Sequence, residues 1–138
     1  MATGYSGTPL LQKLGIKPDA KVLIINPPKD YFKLLESDIS DQFISKKETP
    51  DLVHLFVENN ESFENEMKKL QKFLSLNPTI VIWVSWYKKS SGIKTDLIED
   101  VIRNYALQHD LVDIKVCAVS ELWSGLKLVV QKAKRVAK

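Results

Sequence analysis

Cysteine is almost missing from this chain of 138 residues: Cys117 stands alone, so no internal disulfide can form. Its setting in the apolar run "DIKVCAV" reads as a small buried side chain rather than a reactive thiol. There are two histidines, His54 and His109, and with one cysteine they provide no metal-ligand spacing. His54 falls in the middle of a strand-like run, and His109 falls at a helix end where positive charge is welcome; both read as structural residues. Neither lies near a serine in sequence, so only folding could bring a nucleophile and a base together. The Gly-x-x-x-x-Gly-Lys-Ser/Thr order of a P-loop is absent. The longest strongly apolar run, "TIVIWVSW", is far too short to span a bilayer as a helix. The start, "MATGYSGTPLLQKLG", has neither the basic opening nor the continuous apolar core of a secretory signal, so a cytoplasmic address is expected. A basic face is lacking too. The net charge of +3 comes mostly from the terminal "QKAKRVAK", which reads as a solvated basic tail over residues 133–138.

What is present describes a globular chain of one domain. Apolar residues make up 44% and charged residues 27%, and 138 residues suffice to bury about two thirds of the surface an unfolded chain exposes. Residues 4–20 read as a loop and a short helix, opened by Thr8 and Pro9, carrying Leu10, Leu11 and Leu14 and stopped by Gly15. "KVLIIN" is a continuous apolar run suited to a strand covered on both faces. "PPKDYFKLLES" predicts a turn and helix, "DQFISKK" a weak strand, and "DLVHLFVE" a stronger one. Phe63, Met67, Leu70, Phe73 and Leu74 form the single stripe of an amphipathic helix. "PTIVIWVSWY" predicts a buried strand. The segment "KTDLIEDVIRNYALQHD" predicts a helix with Thr95 as its N-cap and Asp96, Glu99 and Asp100 near its positive end. The last two strand-like runs, joined by a bend containing Ser124 and Gly125, predict an antiparallel return. The expected fold is three-layer α/β: a mostly parallel open sheet of reduced Rossmann type, ending in an antiparallel hairpin.

The segments "GYSGTPLLQKLGIKP", "DLVHLFV", "WVSWYKKSSG", "TDLIEDVIR" and "LVDIKVCAVSELWSGLKLVV" resemble the short bacterial proteins grouped as domain of unknown function 3052. That resemblance spans roughly Gly4 to Lys132 and implies no particular activity. More distantly the chain is similar to class I S-adenosylmethionine-dependent methyltransferases, with "PDLVHLFV", "TIVIWVSW" and the final hairpin in the places of their fourth, fifth, and sixth and seventh strands. Those enzymes follow their first strand with a glycine-rich turn for the cofactor's amino-acid moiety, where this chain has "NPPKDY". Two prolines remove two backbone donors there, so the usual binding of S-adenosylmethionine is not expected. About twenty residues separate the first strand from "DLVHLFV", too few for two full strand–helix units. "NPPKDYF" also resembles the Asn-Pro-Pro-aromatic turn of amino-methyltransferases, with Lys29 where the aromatic ring would stand; a rigid strand-to-helix turn accounts for it as well.

In open parallel sheets, ligands bind beyond the carboxyl ends of the strands. That rule selects Asn26, Lys29, Asp30 and Tyr31 after the first strand and Glu58 and Asn59 after "DLVHLFV". After the central strand it selects Ser85, Trp86, Lys88, Lys89, Ser90, Ser91 and Gly92, with Thr95 at the next helix start. Lys-Lys-Ser-Ser-Gly has the hydroxyls, ammonium groups and freely directed amides to hold an anion, although a solvated turn explains the same residues. Trp83 and Trp86 are an odd number apart in a strand and so face opposite sides; Trp86 and Trp123 could edge a pocket or simply pack. Carboxylate pairs at Asp96, Glu99 and Asp100 read as dipole partners rather than as acid and base. The expectation is a non-catalytic binding module for an anionic small molecule or a protein partner. The alternatives are a degraded or atypical methyltransferase or other transferase, and a weak nucleic-acid binder using Lys88, Lys89, Lys94 and the basic tail.

Overall fold

The computed structural model describes residues 9–36, 38–45 and 47–135. Five strands form one sheet in the order β1-β2-β3-β5-β4: β1 is Val22–Ile25, β2 Leu52–Phe56, β3 Val81–Tyr87, β4 Leu111–Ala118 and β5 Trp123–Val130. β1, β2 and β3 pair parallel, and β5 runs antiparallel to both β3 and β4. The expected three-layer α/β fold forms. Helices α1 (Leu10–Leu14) and α2 (Tyr31–Leu35) cover one face, and α3 (Asn60–Leu76) and α4 (Glu99–Gln108) the other. Among the described residues no helix is long and apolar enough to cross a membrane.

The period of two in each strand divides the core. Leu23, Ile25, Val53, Leu55, Ile82, Val84 and Trp86 turn toward α3 and α4, while Val22, Leu52, Phe56 and Trp83 turn toward α1 and α2. Trp83 and Trp86 thus occupy opposite faces, as their spacing requires. The stripe read from the sequence is the buried face of α3: Phe63, Met67, Leu70, Phe73 and Leu74. That helix opens on a capping box, in which Asn59 Oδ1 accepts from the Ser62 N–H at 2.8 Å and Ser62 Oγ accepts from the Asn59 N–H at 3.3 Å. Gly15 closes α1 with φ of 72°, the left-handed conformation expected of its stop. Thr8 and the rest of the N-terminal loop, and the last three residues of the basic tail, lie outside the described residues.

Three local expectations are corrected. Among its described residues "DQFISKK" makes no strand; Phe43 bridges Val22, and the Ile44 N–H reaches Val22 O at 3.0 Å, because the short stretch between β1 and β2 cannot build another strand–helix unit. Ser124 and Gly125 lie inside β5, and residues 119–122 make the bend. Gly125 answers crowding rather than turning: a Cβ there would lie 3.0 Å from Val119 Cγ2 and 3.3 Å from Trp83 Cε3. β5 also inserts between β3 and β4, leaving β4 at the edge. Finally, Thr95 does not cap α4, which starts four residues later at Glu99 with Ile98 as its N-cap. Its hydroxyl instead donates to Glu58 O at 2.6 Å and accepts from the Leu97 N–H.

Candidate functional site

Parallel pairing brings the carboxyl ends of β1, β2 and β3 to one rim, where the start of β5 joins them. The rim does not form a single cleft. An open cleft of about 1510 Å³ lies at the mouths of β2 and β3 and takes in Glu58, Trp86, Lys88, Lys89, Gly92 and Thr95. A smaller hollow of about 470 Å³ lies at the mouth of β1, where Asp30 and Trp123 meet Pro28, Leu34 and Leu122. The Tyr87 and Trp123 rings, stacked with centroids 4.3 Å apart, divide the two, since Tyr87 lines the cleft and Trp123 the hollow.

The cleft's walls are tied by side chains that fold back on the backbone. Thr95 grips Glu58 O, and Asp96 Oδ1 accepts from the Asn60 N–H at 2.8 Å, so the segment before α4 is fixed across to the β2–α3 turn. Ser91 Oγ donates to Lys88 O at 2.6 Å and accepts from the Ile93 N–H, which shapes the loop into a 3₁₀ turn over Lys89–Ser91 that ends on Gly92 at φ 78°. Ser91 therefore builds the loop from within, while Ser90 is exposed outside the cleft lining. Tyr87 donates to Glu58 Oε1 at 3.2 Å, and burial with the adjacent carboxylate raises the phenol above its usual range.

The lining carries both signs of charge. Lys88, Lys89 and Lys94 share the lining with Glu58, Glu61, Asp96, Glu99 and Asp100, and the last two, in the first turn of α4, are engaged by Arg103. Such a cleft does not favour an anion through net charge; it offers paired sites to a ligand bearing both signs, with Trp86, Tyr87, Ile93 and Ile98 as apolar walls. Of the lining residues, Tyr87, Ile93 and Ile98 were not singled out in the sequence, Asp96 was expected only as a helix-dipole partner, and Ser124 only as part of a bend. Tyr87 could have been taken from its place at the strand mouth, whereas Ser124 depends on the insertion of β5 beside β3.

Two of the expected site residues are sealed in the core. Tyr31 and Ser85 are fully buried, with His54 between them: Tyr31 O–H and His54 Nδ1 are 2.9 Å apart, and His54 Nε2 and Ser85 Oγ are 2.6 Å apart. Folding thus makes the serine–histidine contact that sequence distance left open, but no solvent-borne ligand reaches it. Burial lowers the His54 pKa to about 3 and pushes the Tyr31 phenol well above its usual value, so the chain of three is neutral and ties α2 to the sheet. Asn26, Lys29 and Asp30 remain exposed on the turn after β1. Asn26 takes φ 55°, a left-handed conformation Asn tolerates, and Pro27 and Pro28 follow without N–H groups. A glycine-type cradle for the amino-acid end of S-adenosylmethionine does not fit this turn. The start of the basic tail lies at the opposite rim, because β5 runs the other way: Lys134 is 3.8 Å from Asp110, and Arg135 Nε donates to Val130 O at 2.8 Å. At about 3.4 Å per residue, β5 keeps that end roughly 25 Å from the Lys88 loop, so the two do not share one basic surface.

No family model and no curated protein matches the chain. Solved structures do. The chain is similar to Sp1610 of Streptococcus pneumoniae, a candidate tRNA (m1A22) methyltransferase, at 7% identity and a TM-score of 0.58 over 88% of this chain and 68% of that one. The same protein with S-adenosyl-L-methionine matches at 5% identity and a TM-score of 0.57, over 88% and 70%. A Streptococcus agalactiae protein of the NADB-Rossmann superfamily matches at 10% identity and 0.56, over 95% of this chain and 71% of its own. At these identities the likeness is one of fold: a mixed, mostly parallel sheet of the Rossmann-like methyltransferase type, closed by an antiparallel hairpin.

Proposed function

We propose that the chain is an atypical methyltransferase-fold protein that binds a small molecule carrying both signs of charge in the cleft between the β2–α3 turn and the Lys88–Asp100 segment. The observation that carries this reading is the cleft itself: about 1510 Å³ at the carboxyl rim of a parallel sheet, with Glu58, Lys88 and Asp96 around the apolar walls of Trp86 and Tyr87. The resemblance to family 3052 rests on the sequence segments alone and adds no ligand.

Two readings differ in the fate of the bound molecule. In the first the protein is an atypical methyltransferase. The fold supports it, as does the neighbour solved with S-adenosyl-L-methionine, a molecule that carries both signs of charge and an aromatic base. In that case the proline turn after β1 excludes the usual seat, and the cofactor's charged end is held by Glu58 and Lys88 in the cleft. In the second the protein binds without catalysis, which is supported by that same turn and by the sealing of Ser85 and His54 away from solvent. Calorimetric titration with S-adenosylmethionine separates them. Saturable one-to-one binding that weakens at least tenfold in Glu58→Ala supports the first reading. No heat at millimolar ligand overturns it and leaves the second, for which a thermal-shift screen of zwitterionic metabolites on wild type and Lys88→Ala is the test.

A further inference from the structure

On the α1/α2 face of the sheet, lysines meet where sheet chemistry disfavours them. Lys115 of β4 and Lys127 of β5 are direct register partners, and Lys127 is in turn opposite Trp83 of β3. Side chains at directly paired positions share a face with Cβ atoms about 5 Å apart, and like charges placed so are destabilising. Neither lysine forms an ion pair with a described residue; Lys115 Nζ lies 5.9 Å from the Trp83 ring centroid. The next pair on the same face is Cys117 with Gly125, so β5 presents no side chain beside the lysines there, and Val119 and Trp83 fill the space over the glycine. Lys13 of α1 closes the margin, its Nζ donating to Ala118 O at 2.9 Å. The positive field is felt by the groups inside it: burial and then Lys115 lower the Lys127 pKa, and the Cys117 thiol, raised by burial, is pulled back by Lys13, Lys115 and Lys88.

We propose that Lys115 and Lys127, with Lys13 at the margin, form a binding site for a small multiply charged phosphate compound that bridges the ammonium groups of the pair. Local choices that oppose the fold are expected at functional positions; the Lys115 cation over the Trp83 ring offsets part of the repulsion, whereas Lys127 has no such contact among the described residues. Two lysine stems rising from Cβ atoms about 5 Å apart can both reach a ligand with several anionic oxygens, which turns their repulsion into two charge-assisted contacts. The site lies on the opposite face from Trp86 and stands independently of the reading given to the rim cleft.

Inorganic pyrophosphate is the probe, with sodium sulfate at matched ionic strength as reference. Pyrophosphate is expected to raise the melting temperature of the wild type saturably and beyond sulfate, and to slow maleimide labelling of Cys117 several-fold by covering the thiol and damping the positive field. Lys127→Met and Lys115→Met are each expected to weaken pyrophosphate binding at least tenfold and to abolish the protection of Cys117, while Glu58→Ala at the rim retains both effects. A wild type that responds to pyrophosphate no more than to sulfate overturns the proposal. So does binding that survives unchanged in both lysine variants.

Discussion

Acidification from about pH 7 to about pH 5 is expected to cost the protein roughly 2 kcal/mol through His54 alone. The imidazole is fully buried between Tyr31 and Ser85, and its pKa falls to about 3, against 6.5 in an exposed chain. Above pH 6.5 both native and unfolded His54 are neutral, and the contribution is fully present. Below that value the unfolded chain takes up a proton the native state refuses, so each further pH unit removes about 1.4 kcal/mol until the native histidine itself protonates near pH 3. The whole window amounts to roughly 5 kcal/mol, a large part of the 5–15 kcal/mol that holds a typical domain together. Urea unfolding at half-unit pH steps reads this directly. The comparator is His54→Gln, which keeps a neutral hydrogen-bonding side chain and cannot titrate. Carboxylates lower both curves below about pH 5, so the difference between the two proteins isolates the histidine. Parallel curves for wild type and His54→Gln between pH 7 and pH 5 would mean that the folded protein admits the proton as readily as the unfolded chain, and the neutral buried imidazole would have to be abandoned.

Other substitutions probe neighbouring contacts. Tyr31→Phe removes the hydroxyl that meets His54 Nδ1 and is expected to cost about 1–3 kcal/mol in urea unfolding, because a buried ring nitrogen is left without a partner. Gly125→Ala forces a methyl group against Val119 and Trp83 and is expected to cost about 1–3 kcal/mol, with a change in near-ultraviolet circular dichroism from the displaced indole. Asn59→Ala removes the cap of α3 and is expected to cost about 1 kcal/mol by chemical denaturation. Thr95→Val breaks the grip on Glu58 O; amide hydrogen exchange is expected to quicken in residues 93–98 while the strands keep their protection.

Most of the sheet was legible because its signals are local. β1, β2 and β3 are short apolar runs bounded by turn residues, and the stripe of α3 repeats at helical spacing, so neighbours in sequence suffice to place them. The opposite facing of Trp83 and Trp86 followed from parity alone. The site was less legible because its decisive contacts are distant in sequence. Thr95 looked like a helix cap, yet its hydroxyl partner is a carbonyl 37 positions earlier. Ser85 stood at a strand mouth beside true lining residues, yet its side chain turns inward to a histidine 31 positions away. Gly125 read as a bend because crowding by Trp83 and Val119 leaves no mark in its own neighbourhood. The division of the rim into cleft and hollow depends on Tyr87 meeting Trp123, which requires β5 to insert beside β3.

The five residues of α1 are too few to hold a helix by themselves in water. Their moorings are the Trp83 indole N–H, which donates to Leu14 O across 69 positions of sequence, and Ala118 O, which receives Lys13 across 105. A ribosome therefore delivers this segment well before the partners that moor it. Until β3 and β4 have been synthesised and aligned, neither of these two hydrogen bonds can form, so the final seating of α1 waits on strands that follow it by 69 and 105 positions.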